Sequence, residues 1–557
     1  MAAGELKRWL LVNYAGYPYA PNSLMPDNGL ANLAGALLAQ GCEVEILDYC
    51  TVSTIQRMTS PELRARLSRA WNTLRGSDRG MTASVRKFAA IASLPGAEKE
   101  RRRLQDLAVT VIGNELVSHI RGKSIDAVGF KLWNGDGLSE SGRLASILRR
   151  QFPRLKLFGG GPHVDVFQDR ILRHYPDFDA LVYGEGEETI RHLALNGGES
   201  LSYGTIPNLI FTTNGTIQIT EERMIEDLDQ LPMPVYDPAI YPAMEGHDKV
   251  KVIVIDESRG CRNECAFCIH PIKSHRRIRL KSIPRLLLEV KELDRRHGFR
   301  SFRFAGSCTP YSLLNEFAAG IIRERLPVRY ASFAHIRDAE EADFALIRQS
   351  GGVALFFGIE SCSQTLLDGM RKHITIAAIQ ETLRRSHDAG IFTVGSLIFP
   401  APGETTATEA ETLTLLPKLS LNALMLQAPI VTPRTSWFEE PEQYGIGIPD
   451  KELYLEMGMK WKVKLQLPPR FWDSIPLSIG GRSFKQVLAK AGEMGRKISG
   501  MSIPTSISDE TYLMSLNAGM DPVKFRDNAL AAFYSGDTTA IQDLVIAING
   551  SGAESSR

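Results

Sequence analysis

Short apolar runs alternate with stretches of helical spacing through the first 200 residues. The runs at 8–14, 43–49, 127–133, 155–161 and 180–186 are apolar on consecutive positions, and most end near a Gly or Asp. Continuous rather than alternating hydrophobicity predicts strands buried on both faces, as in a doubly wound parallel sheet. After a turn-rich, proline-bearing stretch a second series follows at 251–256, 302–306, 328–333, 353–359, 392–399 and 423–429. Six such strands with helical connectors predict a partial (β/α)6 barrel, whose chemistry belongs at the carboxyl ends of the strands. The pattern thus predicts an α/β protein with a sheet domain at 1–200, a linker at 201–248, a barrel at 249–431 and a mostly helical region at 432–557.

Residues 51–123 interrupt the first series and contain no strand-like run. They carry 14 Lys and Arg against 6 Asp and Glu. This is the composition of solvated amphipathic helices, and a basic lid over a phosphate-bearing cofactor or substrate is the alternative.

Composition narrows the function only a little. With 43% hydrophobic and 23% charged residues and a formal net charge of +1, the chain reads as an ordinary globular protein. Nothing in that balance selects nucleic acid or an anionic membrane as a partner. No apolar run reaches the ~18–20 residues of a membrane span, so a cytoplasmic location is expected. Seven cysteines, odd in number, argue for reduced thiols that bind something rather than for a disulfide framework.

Three of them fall within eight residues, in "SRGCRNECAFCIHP". Cys261, Cys265 and Cys268 are spaced C-x3-C-x2-C and directly follow the first barrel strand. Thiolates at this spacing suit zinc or an iron–sulfur cluster. His270 or His275 could complete a zinc site. Zinc ligands, however, usually come as two separated pairs, whereas one compact triple leaves a corner open. Cys42, Cys50, Cys308 and Cys362 read as small apolar residues, with Cys308 the nearest to the site.

With Phe267 just before the last cysteine, the motif resembles that of the radical S-adenosylmethionine (SAM) superfamily. The resemblance implies a [4Fe–4S] cluster on Cys261, Cys265 and Cys268, with SAM chelating the open iron and cleaved by one electron to an adenosyl radical. It extends to later strand ends and implies SAM contacts there. These are Gly306 and Ser307 in "FAGS", Arg337 in "AHIRD" near the carboxylate, and Glu360 in "FGIES" near the ribose. "LIFPAPGETTA" resembles the segment after the fifth strand, with Pro400 in place of a Gly.

The first domain resembles the Rossmann-like cobalamin-binding domain of the cobalamin-dependent subclass, which includes the class B methyltransferases. "MPDNGLANLAGALLAQGCEVEILD", "FGGGPHVD" and "DALVYGEGEETIRHL" carry that likeness. It implies cobalamin contacts from Asn134, Gly135, Gly159, Gly160, Gly161, His163, Gly184, Glu185 and Gly186. The D-x-H-x-x-G motif that supplies a lower histidine ligand is absent, so cobalamin without an imidazole on cobalt is expected. The basic insertion would offer Arg66 or Arg69 near the lower face or the phosphate.

The implied function is methylation of an unactivated carbon, or of phosphorus, in a natural-product precursor through methylcobalamin. Three alternatives stand beside it. One is polar C-methylation of an aromatic substrate such as tryptophan, as in a thiostrepton-pathway member of the subclass. Another is a non-methylating radical cyclisation or rearrangement, and the third is a sensor that binds both cofactors without turnover. A small-molecule or peptide substrate and an external electron donor such as flavodoxin or ferredoxin are the implied partners.

Overall fold

The computed structural model describes residues 5–76, 80–462, 464 and 466–550. The first sheet contains β1 (Arg8–Asn13), β2 (Glu43–Asp48), β3 (Ala127–Lys131), β4 (Lys156–Gly160), β5 (Ala180–Val182), β6 (Leu209–Thr213) and β7 (Thr216–Ile219). Their order is β2-β1-β3-β4-β5-β6-β7. The first five run parallel, and β6 and β7 add an antiparallel edge.

That edge corrects the expected linker. Residues 209–219 form a hairpin of the first domain, so the connecting segment begins only after it. The cause is local and was available in the sequence. Asn214 and Gly215 both adopt positive φ (50° and 75°), and Asn-Gly at a two-residue turn matches the twist of paired strands.

The inserted segment folds as helices at Val52–Arg57, Pro61–Arg75 and Met81–Lys123. They are less solvated than their composition suggests. Val109, Ile112 and Leu116 are buried in the core below the sheet. Arg101 is deeply buried, 2% exposed and held by Glu98 and Gln105.

The barrel contains β8 (Ile253–Ile255), β9 (Ser258–Gly260), β10 (Ile278–Leu280), β11 (Ser301–Phe304), β12 (Arg329–Ala334), β13 (Gly352–Glu360), β14 (Phe392–Ile398) and β15 (Ala423–Gln427). Six of these form one parallel sheet in the order β15-β14-β13-β12-β11-β8. Strands β9 and β10 pair only with each other, antiparallel, and close the loop that carries the cysteines. The closure is tight: a Cβ on Gly260 (φ 98°) would lie 2.1 Å from the Arg277 carbonyl oxygen, which is why glycine precedes Cys261.

The last 120 residues are mostly helical, as expected, and pack on both domains. The helix Asp509–Asn517 lies against β12, β13 and β14, with Tyr512 stacked on Phe392 at 3.8 Å. Among the described residues no helix is long and apolar enough to cross a membrane.

Candidate functional site

The carboxyl ends of the first sheet face the barrel across a cavity of about 420 Å³. Its inner part is apolar, bounded by Trp9, Leu11, Phe158, Leu33, Ile190 and Leu193. Gly159, Gly160, Gly161, Gly184, Glu185 and Gly186 all line it, as the sequence predicts. A Cβ on Gly160 would find its nearest neighbour, the Val182 carbonyl oxygen, 3.5 Å away, an ordinary contact without a clash. The opposite wall comes from the barrel and includes Ser258, Arg259, Gly260, Gly306 and Ser307. The glycine-rich ends of one domain and the predicted SAM turn of the other therefore share one space.

Four predicted contacts lie elsewhere. A Cβ on Gly135 would stand 2.2 Å from the Trp461 carbonyl oxygen, so this turn packs on the C-terminal region. Asn134 beside it caps the following helix by accepting a hydrogen bond from the Gly137 amide. The His163 ring contacts the Met459 carbonyl at 2.9 Å and packs on Phe167. Burial lowers its pKa and leaves it neutral, a structural histidine rather than a cavity ligand. Arg69 sits on the helix Pro61–Arg75, where neighbouring Arg66 pairs with Glu100 at 2.6 Å. No described residue of 51–123 lines the cavity, so the basic lid finds no support there.

The charges around this cavity are paired. Lys131 donates to Asp27, and the two lie on its floor. Burial works against both charges, yet Lys131 holds Asp27 below the ordinary carboxylate range and Asp27 holds Lys131 above the ordinary amine range. Across the domain boundary, Arg259 binds Glu187 with both terminal nitrogens and Asp256 at 2.9 Å. Arg279 makes a second forked contact, to Glu185, at 2.6 and 2.9 Å. Asn28 and Asn32 of the first domain complete the lattice by donating to Asp256 at 3.1 and 2.6 Å. Arg259 is two residues from Cys261, so this lattice ties the "GEGE" turn to the base of the cysteine loop.

Cys261 is buried, and Cys265 and Cys268 are half-buried. Phe267 packs on Trp437 at 5.4 Å, which brings the C-terminal region over the loop. The Cys308 thiol lies against that of Cys261. Contact with Cys308, together with hydrogen bonding from Asn263, brings Cys261 down to about 6 against the opposing effect of burial. Burial raises Cys265, and pushes Cys268 up to about 12. Thiols held so high become ligands only when a metal displaces their protons. Among the described residues no three His, Cys, Asp or Glu side chains converge as one metal ion requires, and His275 faces Glu222 at 3.3 Å instead. The donor set suits a larger group that takes each sulfur at a separate corner.

Three residues that sequence reasoning missed complete the surroundings. Lys372 is 5% exposed, and its ammonium bears on Cys261, Cys265, Cys268 and Cys308. Glu257, fully buried, accepts from the Gly306 amide at 3.0 Å, Thr309 at 2.5 Å and Ser258 at 2.9 Å. It holds the predicted SAM turn from behind. His335 lies beside Arg337, whose own backbone amide it accepts from.

Glu360, expected near the ribose, already has protein partners. It sits at a bulge of β13 with φ 68°, a conformation uncommon outside glycine. One oxygen accepts from Ser396 at 3.1 Å, and the other lies 3.4 Å from Lys372. Each oxygen retains acceptor capacity. The carboxylate is therefore aimed and charge-paired before any ligand arrives.

Residues 257–416 match the radical SAM superfamily, and residues 84–194 match the B12 binding domain. An uncharacterized methyltransferase of Pyrococcus horikoshii is 26% identical over 359 residues, 64% of this chain and 77% of that protein. An anaerobic magnesium-protoporphyrin IX monomethyl ester cyclase of Rubrivivax gelatinosus is also 26% identical, over 48% of this chain and only half of its own length. Among solved structures, the radical SAM methyltransferase TsrM of Kitasatospora setae, with cobalamin and a [4Fe–4S] cluster bound, superposes with a TM-score of 0.61 at 16% identity, over 96% of this chain and 99% of that one. The same enzyme is known with tryptophan and a SAM analog bound.

Proposed function

We propose that this chain is a cobalamin-dependent radical SAM methyltransferase that methylates an unactivated carbon, or phosphorus, of a natural-product precursor. The observation that carries this reading is the single cavity lined by the glycine-rich ends of the first sheet and by Gly306 and Ser307. Bound together there, cobalamin and a cluster with SAM would supply a methyl carrier and one-electron activation side by side.

The chain's own residues hold, orient and enclose. Cys261, Cys265 and Cys268 would hold the cluster, with Lys372 offsetting the negative charge of three thiolates. Gly306, held by Glu257, would present backbone to the methionine end of SAM. Glu360 would orient the ribose, with Arg337 near the carboxylate. The bare ends at Gly159–Gly161 and Gly184–Gly186 would face a flat macrocycle. The apolar slot ending at Trp9 would take its nucleotide tail. The Arg259 lattice ties the two domains to each other. An external donor such as flavodoxin or ferredoxin would supply the electron.

A second reading has its own support. The fold likeness to TsrM covers nearly the whole of both chains, and that enzyme's structure contains tryptophan as substrate. Polar methylation of an aromatic carbon, with no adenosyl radical, is the version of the function that follows. Anaerobically reconstituted protein, given SAM and candidate substrates and analysed by mass spectrometry, decides. A product heavier by one methyl together with 5′-deoxyadenosine supports the radical reading, and the same product without it supports the polar one. Deoxyadenosine with an unmethylated product supports a cyclase-like reaction. Binding of both cofactors without turnover would leave a sensor.

A further inference from the structure

Among the buried polar groups that the described residues leave unanswered is the imidazole of His335. His335 directly follows β12 and is 8% exposed. Its Nδ1 accepts a hydrogen bond from the Arg337 amide at 2.9 Å. A ring nitrogen that accepts carries no proton, so the proton of the neutral ring sits on Nε2. That Nε2 is buried and has no partner among the described residues. The backbone is held as well, since the His335 carbonyl accepts from Tyr311 at 2.6 Å. A buried N–H is costly to leave unmade, and such a group in a well-packed wall calls for a missing partner.

The surroundings indicate the partner's charge. Burial opposes protonation of the ring, and Lys372, Arg337 and Arg262 bear on it in the same sense, so it stays a neutral donor. Arg262 is answered by Asp338 and Lys372 only at 3.4 Å by Glu360. Lys372 in turn bears on all three cysteines of the loop. A neutral donor beside a cation-rich wall suits an anion of carboxylate size.

We propose that the His335 Nε2–H donates to the carboxylate of the methionine part of SAM, which it and Lys372 bind together. This rests on the reading above that SAM binds at the cysteine loop. Of SAM's groups only the carboxylate is anionic. The sulfonium and a protonated amine are repelled by these cations, and the adenine nitrogens and ribose hydroxyls, which can accept, are neutral and gain less there than a charged acceptor does.

The test titrates SAM and decarboxylated SAM into cluster-loaded protein by calorimetry, without reductant so that neither is consumed. Wild type is compared with His335→Met and His335→Gln, side chains of similar length without and with an N–H donor. The Met variant is expected to bind SAM about tenfold or more weakly, while its affinity for decarboxylated SAM stays at the wild-type value. The Gln variant should recover part of the loss. Equal SAM affinity in wild type and the Met variant overturns the assignment, as does an equal loss for both ligands, which marks a merely structural residue. Should the Met variant lose its cluster absorbance, His335→Leu takes its place under the same criteria. Failure of the wild type to bind SAM at all would overturn the SAM site itself, and with it this assignment.

Discussion

The cavity between the domains and the surroundings of the cysteine loop are built on opposite principles. In the first, protein charges answer one another: Asp27 with Lys131, Glu187 and Asp256 with Arg259, Glu185 with Arg279. In the second, thiols raised by burial, an unpartnered imidazole N–H and one loosely paired lysine face each other. Closed networks fix geometry, because each charge loses its partner if the domains shift. Open groups store binding capacity, because only a ligand can satisfy them. One region positions and the other receives.

The largest effect should come from emptying the receiving region. Changing Cys261, Cys265 and Cys268 together to Ala is expected to abolish a bound complement of about four irons and four sulfides per chain, along with all SAM cleavage. Cobalamin content should persist, because the glycine-rich ends belong to the other domain. Iron retained by the triple variant would end the contrast at once.

Next comes the positioning lattice. Arg259→Met strands Glu187 and Asp256 in a mostly buried site, and breaking one buried pair costs about 3–5 kcal/mol. Thermal unfolding should fall accordingly and cobalamin should dissociate faster, with the cysteines untouched. Adding Glu187→Gln should restore part of the stability, as coupled neighbours do. Purely additive losses would show that the lattice does not act as a unit.

Glu360→Gln probes the border between the two principles. The amide still accepts from Ser396 but no longer answers Lys372, and SAM affinity is expected to drop about tenfold to a hundredfold. Cluster absorbance and cobalamin content should not change. An unaltered dissociation constant with a slightly lowered melting temperature would assign Glu360 to structure alone.

The smallest effect concerns Glu257. Burial raises its pKa above the ordinary value of 4.5, although hydrogen bonds from Thr309, Gly306 and Ser258 oppose this. The folded state then binds the proton more readily than the unfolded state. Stability should decline as pH rises from the ordinary glutamate range through the raised folded value. Glu257→Gln keeps an acceptor for the Gly306 amide without an ionising group, so its stability should lack this decline. Parallel pH profiles for the two proteins would contradict the assignment.

All eleven strands expected from the apolar runs are present to within a few residues. Each was marked by a short continuous run between breakers, and that signal is local. The cysteine loop was legible for the same reason: its spacing, the glycine before it and the strand preceding it lie within twenty residues. The hairpin at 209–219 was equally local, yet the prolines that follow it drew the whole stretch into a linker. Glycine alone proved ambiguous. Gly159–Gly161 and Gly184–Gly186 line the cavity, whereas Gly135, as rich in signal, packs on Trp461 from the far end of the chain.

What the sequence by itself determined is the order of elements, the α/β architecture and the compact spacing of Cys261, Cys265 and Cys268. Each of these depends on periodicity or spacing over a few residues. What only the tertiary structure decided is which charges are closed and which remain open. Glu257 reaches Gly306 across 49 residues, Arg259 meets Glu187 across 72, and His163 turns to Met459 across 296. A buried polar group takes its character from whatever stands opposite, and across such separations only the folded chain determines what that is.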